Sequence, residues 1–369
     1  MKNIIKTVIV MLSSVSLFAS ANAGELGVSG TAKATYNILS GKTNVGKGLG
    51  VTNELNFTAS GELDNGYTWS YSMELDPNAV SAGTTAAAQS GAENDDTKLT
   101  LATPYGTVGV FISEGGLDVE DAASQSAYAR PTDMGGSDGV VDNFNIDGYN
   151  NMQYHTPADI IPFGGSFKIA YAPDLDKYGS GNNGGGIGQG ADGEGGTAFV
   201  GRSATSMQVS FDALPGVDGL KIGASYFDFD KQGDEGKKDQ EAESGAYYAT
   251  YSIGNVSLGY SKAYKALLIS DDAMGGGSTT QVEYYDQSNQ SIAYAVNDDL
   301  TISYESEKSE ANYLADATAS VEQKSTGVQL AYNMGGMTLA IARNSHDNPS
   351  YSSTAADLDQ TLIAVTMAF

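Results

Sequence analysis

Apolar side chains recur at every second position along most of this chain, yet after the first two dozen residues about 20 of them never run together. A period of two places alternate side chains on opposite faces of a strand, so the repeat asks for sheet with one apolar face and one polar face. Leu26, Val28, Ala32, Ala34 and Tyr36 share one parity, against Ser29, Thr31, Lys33, Thr35 and Asn37. Trp69, Tyr71, Met73 and Leu75 likewise oppose Thr68, Ser70, Ser72 and Glu74, after an Asp64-Asn65-Gly66 turn whose Asn-Gly pair suits a tight hairpin. The rhythm persists to the last residues, where Thr361, Ile363, Val365, Met367 and Phe369 alternate with Leu362, Ala364, Thr366 and Ala368; Leu362 breaks the pattern.

The beginning of the chain indicates where such a sheet has to be stable. Met1 to Ala23 carries Lys2 and Lys6, an apolar stretch from Thr7 to Ala19, and Ala21-Asn22-Ala23, which reads as a cleaved export signal. Its apolar part is too short to span a bilayer, so a mature protein held in a membrane must cross it as a closed barrel. Removing the two leader lysines from 19 basic residues leaves 17 against 45 acidic, a formal charge of -28. That balance argues against nucleic acid as a partner. Cysteine is absent, so no disulfide framework holds the exported chain.

Counting alternating segments gives about 16 strands, an even number suited to bacterial outer-membrane barrels. Short connections (Asp64 to Gly66, Pro104 to Gly106, Asp212 to Gly219, Gly254-Asn255, Asn297 to Asp299, Asn333 to Gly336) alternate with long polar ones. The long ones run from about Asp76 to Asp96, Gly115 to Tyr149, Ala172 to Arg202, Asp230 to Glu243, Lys265 to Thr280, Lys308 to Glu322 and Ser345 to Asp357. Pro157 to Gly165 is intermediate and belongs with the short set. The expected fold is therefore an all-β transmembrane antiparallel barrel. It forms a single domain over residues 24–369, with short turns at the periplasmic rim and long loops outside.

Signatures of chemistry are sparse. His155 and His346 are the only histidines, and no Gly-x-Ser-x-Gly elbow stands on a strand-to-helix turn, so no catalytic residue and no metal ligand set is assigned. The Gly-rich run Gly179 to Gly196 has neither the strand and helix of a nucleotide fingerprint nor a repeating calcium nonapeptide. It reads as an exposed loop. Divalent cations bound loosely at acidic loops, for example by its Asp192 and Glu194, are the extent of the cofactor expectation.

The loop from Gly115 to Tyr149 stands apart. It is the longest, carries Asp118, Glu120, Asp121, Asp133, Asp138, Asp142 and Asp147 with the single cation Arg130, and is helix-compatible over Leu117 to Ala129. With its strand count, its Thr103-Pro104-Tyr105-Gly106-Thr107-Val108 hairpin and its terminal Phe369, the chain resembles the general trimeric porins of Gram-negative bacteria. The resemblance implies a third loop folded into the barrel, with acidic residues (Asp118, Glu120, Asp121, Asp133, beside Arg130) facing basic ones on the wall. By parity Lys33, Lys98, His155, Lys168 and Lys221 point inward, where a charge is hydrated. Lys33, Lys98 and His155 lie on strands whose family counterparts oppose that loop. The stretch Phe111-Ile112-Ser113-Glu114 lacks the arginine such porins often carry there.

These readings together imply a water-filled channel for passive diffusion of small hydrophilic solutes and ions, cation-preferring, in the outer membrane. Expected partners are membrane lipid, two further copies of the chain, and the insertion machinery that would meet Phe369 at the periplasmic rim. A sugar- or anion-selective channel is the nearest alternative. It would favour inward aromatic residues or clustered arginines, and inward aromatics such as Phe111 and Tyr248 are few. A non-channel exported surface protein is the more distant alternative.

Overall fold

The computed structural model describes residues 26–41, 46–76, 93–134, 142–173, 203–230, 238–270, 281–315 and 317–369. The leader, the Gly-rich run with Asp192 and Glu194, and Asp138 lie outside the described residues. In chain order the strands are β1 (Leu26–Gly41), β2 (Gly46–Glu62), β3 (Thr68–Asp76), β4 (Glu93–Thr103), β5 (Gly106–Ile112), β6 (Asn151–His155), β7 (Ser166–Ala172), β8 (Ser203–Phe211) and β9 (Leu220–Asp230). They continue as β10 (Lys238–Gln240), β11 (Glu243–Ile253), β12 (Val256–Ala266), β13 (Ile269–Ser270), β14 (Val282–Ala295), β15 (Leu300–Tyr313), β16 (Val321–Asn333), β17 (Met337–Asp347) and β18 (Leu358–Ala368). All except β10 and β13, which pair with each other, form one closed antiparallel barrel of 16 strands in which β18 returns to β1. Among the described residues no helix is long and apolar enough to cross a membrane.

Closure is what the alternation requires. Every barrel strand has two hydrogen-bonded neighbours, so no edge is left for lipid to meet. One parity faces out: Leu26, Val28, Leu49, Val51 and Leu99 are strongly exposed, as are Tyr247, Tyr294 and Tyr304. The other parity faces in and is polar, with Gln153, Ser206, Ser261, Glu305, Gln329 and Gln360 among its buried members. The tight turns expected from sequence are present. The hairpin after β2 closes with the Gly66 N–H donating to the Leu63 carbonyl at 2.8 Å, and Gly66 sits at φ 81°.

The strands run further than the apolar rhythm suggests. Lys308 to Glu322 reads as a loop in the sequence, but β15 continues to Tyr313 and β16 begins at Val321. Outward positions there are charged and pair across strands: Lys308 with Glu322 at 3.1 Å and Lys262 with Asp286 at 3.5 Å. Charge replaces apolarity on the outward parity toward the loop rim, so a hydropathy count stops short while the ladder continues. The first strand pair is long as well: β2 starts at Gly46 and pairs with β1 along Leu26 to Leu39.

Candidate pore constriction

The segment after β5 turns into the barrel and follows its inner wall, held by a succession of inward polar side chains. The Val119 N–H donates to Ser225 Oγ on β9 at 3.2 Å, and Ser261 Oγ on β12 donates to the Glu120 carbonyl at 2.7 Å. Ser291 Oγ on β14 donates to the Ala123 carbonyl at 2.6 Å, and the Ala127 N–H donates to Ser303 Oγ on β15 at 2.8 Å. Gln329 on β16 accepts from the Tyr128 N–H at 3.0 Å, and Gln360 Nε2 on β18 donates to the Met134 carbonyl at 2.5 Å. Fully buried Glu305 accepts from Ser124 Oγ at 2.6 Å, while Glu307 accepts from both the N–H and the hydroxyl of Thr132. Buried acceptors so supplied with donors are tolerable only because each is satisfied.

Two inward glycines make this close approach possible. A Cβ on Gly259 would collide with the Ala123 carbonyl, and one on Gly327 would meet Asn344 Oδ1 at 2.6 Å and Pro131 Cγ at 2.8 Å. Among the described residues of the loop, helix is confined to short 3-10 turns, Asp121–Ala123, Pro131–Asp133 and Ile146–Gly148, rather than the longer stretch the composition of Leu117 to Ala129 allows. Tethers at nearly every other residue leave no run of backbone free to wind an α-helix. The returning limb is anchored differently: Phe144 packs on Phe229 at 5.0 Å between ring centroids, Phe229 on Phe227 at 4.7 Å, and Lys265 Nζ lies 4.6 Å above the Phe144 ring. Phe227 and Phe229 are inward aromatics that the sequence reading leaves out, because their role depends on a partner 83 or more residues earlier.

On the opposite side a cavity of about 440 Å³ is lined by Thr31, Lys33, Thr35 and Asn37 of β1, Thr52 and Glu54 of β2, Thr366 of β18, and the loop residues Tyr128, Asp133 and Met134. Lys33 and Asp133 thus face one cavity. Lys98 also points inward but is ion-paired with Glu114, at the start of the loop. His155 Nε2 donates to Gln153 Oε1 at 2.8 Å, and His155 pairs in register with Lys168. Both lie toward the turn rim, as does Lys221, one residue into β9. The structure therefore brings Lys33 to the loop and leaves His155, Lys168 and Lys221 below it. Leu362 fits its place too: it packs with Met134 and Ala342 beneath Tyr128, seating the loop tip.

The loop carboxylates are gathered more tightly than spacing alone suggests. Asp118, Glu120 and Asp121 offer oxygens within 4.8 Å of one another. Arg130 is the hub of a second group: it forms two hydrogen bonds with Asp133 (2.7 and 3.0 Å), pairs with Asp121, and lies 3.5 Å from both Asp142 and Glu307. Burial, with the nearby Asp121 and Asp147 charges, pushes Asp118 up to about 7. Burial raises Glu120 well above the ordinary carboxylate range, and Asp118 and Asp121 add to it. Asp121, whose side chain still reaches water, is raised by its enclosed setting to about 6 against the pull of Arg130.

The family profile described as Gram-negative porin matches residues 7–366. The chain belongs to the Gram-negative porins. Among solved structures this porin is similar to Salmonella typhi OmpF in complex with daunomycin, at 14% identity and a TM-score of 0.64, with 94% of this chain and 98% of that one covered. It is also similar to a porin refined at 1.8 Å resolution, at 15% identity and a TM-score of 0.60, with 94% and 100% covered. A mutant of the Rh. blastica porin matches at 12% identity and 0.55, with the same coverage. Identities this low speak for the fold alone. No match is found among curated proteins. Membership places the chain among the outer-membrane channel proteins of Gram-negative bacteria, and the loop along the inner wall with a cavity beside it agrees with that class.

Proposed function

We propose that this porin conducts small hydrophilic solutes and ions by passive diffusion, with a preference for cations, through the passage between the Tyr128–Met134 part of the loop and β1, β2 and β18. The observation that carries the reading is the pairing state of the charges there. Arg130 is taken up by Asp121, Asp133, Asp142 and Glu307, and Lys98 by Glu114, which leaves Lys33, on the same cavity as Glu54 and Asp133, without an ion pair among the described residues. Asp118, Glu120, Asp121, Arg130 and Asp133 form the acidic side of the constriction; Lys33 is the principal basic member of the wall. Lys98, His155, Lys168 and Lys221 contribute to the field of the lumen away from the narrowest part. No covalent step is needed, so the protein is read as a non-enzyme.

We further read residues 1–23 as a cleaved export signal and the assembled form as a homotrimer, joined through the apolar outer face of β1, β2 and β18. Small Gly30, Ala32 and Ala34 allow close approach there, and Leu49, Val51, Ile363 and Val365 line a shallow apolar groove. The remaining outer wall meets lipid, and Phe369 is the residue the insertion machinery engages. Planar-bilayer recording across a KCl gradient tests the channel reading. Stepwise conductance with a reversal potential of the sign expected for K⁺ supports it; an anion-selective reversal potential overturns the cation preference, and absence of conductance overturns the channel.

A further inference from the structure

The cavity between the loop tip and β1, β2 and β18 holds two charges of opposite sign that do not meet. Lys33 of β1 and Glu54 of β2 both line it. Register sets Glu54 opposite Thr31 and Lys33 opposite Thr52, so the two are diagonal neighbours on the inward face, rooted about 7–8 Å apart. No ion pair among the described residues joins them. Thr31 Oγ1 donates to Glu54 Oε2 at 3.3 Å, which leaves Oε1 for the lumen. Asp133, on the same lining, does not compete as an acceptor, since Arg130 takes both of its oxygens at 2.7 and 3.0 Å. The loop side of the cavity is apolar instead: Tyr128 and Ala129 are half-buried and pack on Met134 and Leu362, each 7% exposed.

We propose that this cavity binds small zwitterions with an apolar side chain, the chemistry of a neutral α-amino acid: the carboxylate on Lys33 Nζ, the ammonium on Glu54 Oε1, and the side chain against Tyr128 and Ala129. The two charges select this class only when they act together. A lone cation gains at Glu54 but is repelled by Lys33, and a lone anion meets the reverse. A solute bearing both charges on one carbon satisfies both, through charge-assisted hydrogen bonds of about 2.8 Å that bridge the gap the protein leaves open. The apolar loop face then separates solutes that share these head groups, because a side chain laid against it leaves water. A volume of about 440 Å³ admits such a solute with water beside it. Binding is therefore loose enough for release, as conduction requires. The inference rests on the channel reading and adds a solute preference to it.

Planar-bilayer recording in dilute KCl, where lumenal charges are least screened, tests this with leucine as the probe. Leucine is expected to lower the ion current saturably. Its half-saturating concentration should lie at least about tenfold below that of leucinamide, which lacks the carboxylate, and of isocaproate, which lacks the ammonium. Glycine, with the head groups alone, should act more weakly than leucine. Lys33→Gln and Glu54→Gln should each weaken leucine at least about tenfold. Stepwise conductance that leucine leaves unchanged overturns the proposal and spares the channel reading. So does leucine acting no better than either singly charged probe, a comparison made on the unaltered protein and independent of any variant. An undiminished leucine effect in either variant, once it conducts, also overturns it, and glycine matching leucine overturns the side-chain contact. Absence of conductance without any added solute overturns the channel reading and this one with it.

Discussion

Phe369 lies over Gly30. The Phe369 N–H donates to the Gly30 carbonyl at 3.0 Å, the Gly30 N–H donates to the Phe369 carbonyl at 2.8 Å, and a Cβ on Gly30 would meet ring atoms Cε2 and Cζ at 2.9 Å. The ring thus covers a bare backbone at the seam where β18 meets β1, supplying the apolar surface glycine lacks.

Gly30→Val is expected to cost about 1–3 kcal/mol, because the new side chain also meets the Glu54 carbonyl at 2.7 Å and backbone cannot yield as a side chain can. Deleting Phe369 should lower the yield of folded barrel while leaving the unitary conductance of assembled channels unchanged. Heat-modifiable gel migration and single-channel recording together check both outcomes; unchanged yield after the deletion would count against an assembly role.

Lys33→Ala should raise the cation-to-anion permeability ratio by about twofold in dilute KCl, and by less in concentrated salt. The Debye length shrinks from about 10 Å at 0.1 M to about 3 Å at 1 M, so a lumenal charge acts over less of the passage. Lys168→Ala, toward the turn rim, should have a smaller effect. Reversal potentials at the two salt concentrations distinguish these outcomes.

Acidification should weaken the cation preference. Asp118 at about 7 and Asp121 at about 6 are raised above their ordinary value of 3.8, and Glu120 is raised as well. For carboxyls raised on folding, the docked loop binds more protons than the released loop between the ordinary and raised values. Docking is therefore most stable at the acid end of that window and loses stability as pH rises from about 4 to about 7. Protonation also removes lumenal negative charge. Lowering pH from about 8 to about 5 should accordingly reduce cation selectivity and slow protease cleavage of the loop. Asp118→Asn should flatten the upper part of both profiles.

Arg130→Ala leaves Asp121, Asp133, Asp142 and Glu307 facing one another without their shared cation. Three of these carboxylates reach water and only Glu307 is buried, so the cost is mainly that of leaving one buried carboxylate short of a partner, about 1–3 kcal/mol, and the loop is expected to loosen from the wall. Arg130→Lys should restore only part of the docking, since an ammonium cannot bond Asp133 twice while reaching Asp121. Limited proteolysis within 115–149, compared with intact barrel migration, reads this out.

Gly259→Val should act on the same loop by steric means, since any Cβ there meets the Ala123 carbonyl. Wider conductance with weaker ion selectivity is expected, and unaltered single-channel conductance would show that the loop does not set the passage.

Alternation, loop lengths and the absence of a long apolar run determined the barrel, its strand number and which side chains point inward. These properties are local: parity is fixed by the period of the strand, and closure follows from the need to satisfy every backbone group in lipid. Even so, β15 and β16 run beyond where apolarity ends, because paired outward charges such as Lys308 and Glu322 continue the ladder without a hydrophobic signal. Tertiary structure alone decided what the inward residues do. Leu362, an exception to its strand's pattern, seats Met134; Phe227 and Phe229 meet Phe144; Glu305 and Glu307 receive Ser124 and Thr132. Parity placed Lys33 and Lys98 alike, yet one lines the cavity and the other is tied to Glu114. The difference lies in contacts between a loop and strands as far as 226 residues away in sequence, between Met134 and Gln360, which no local period records.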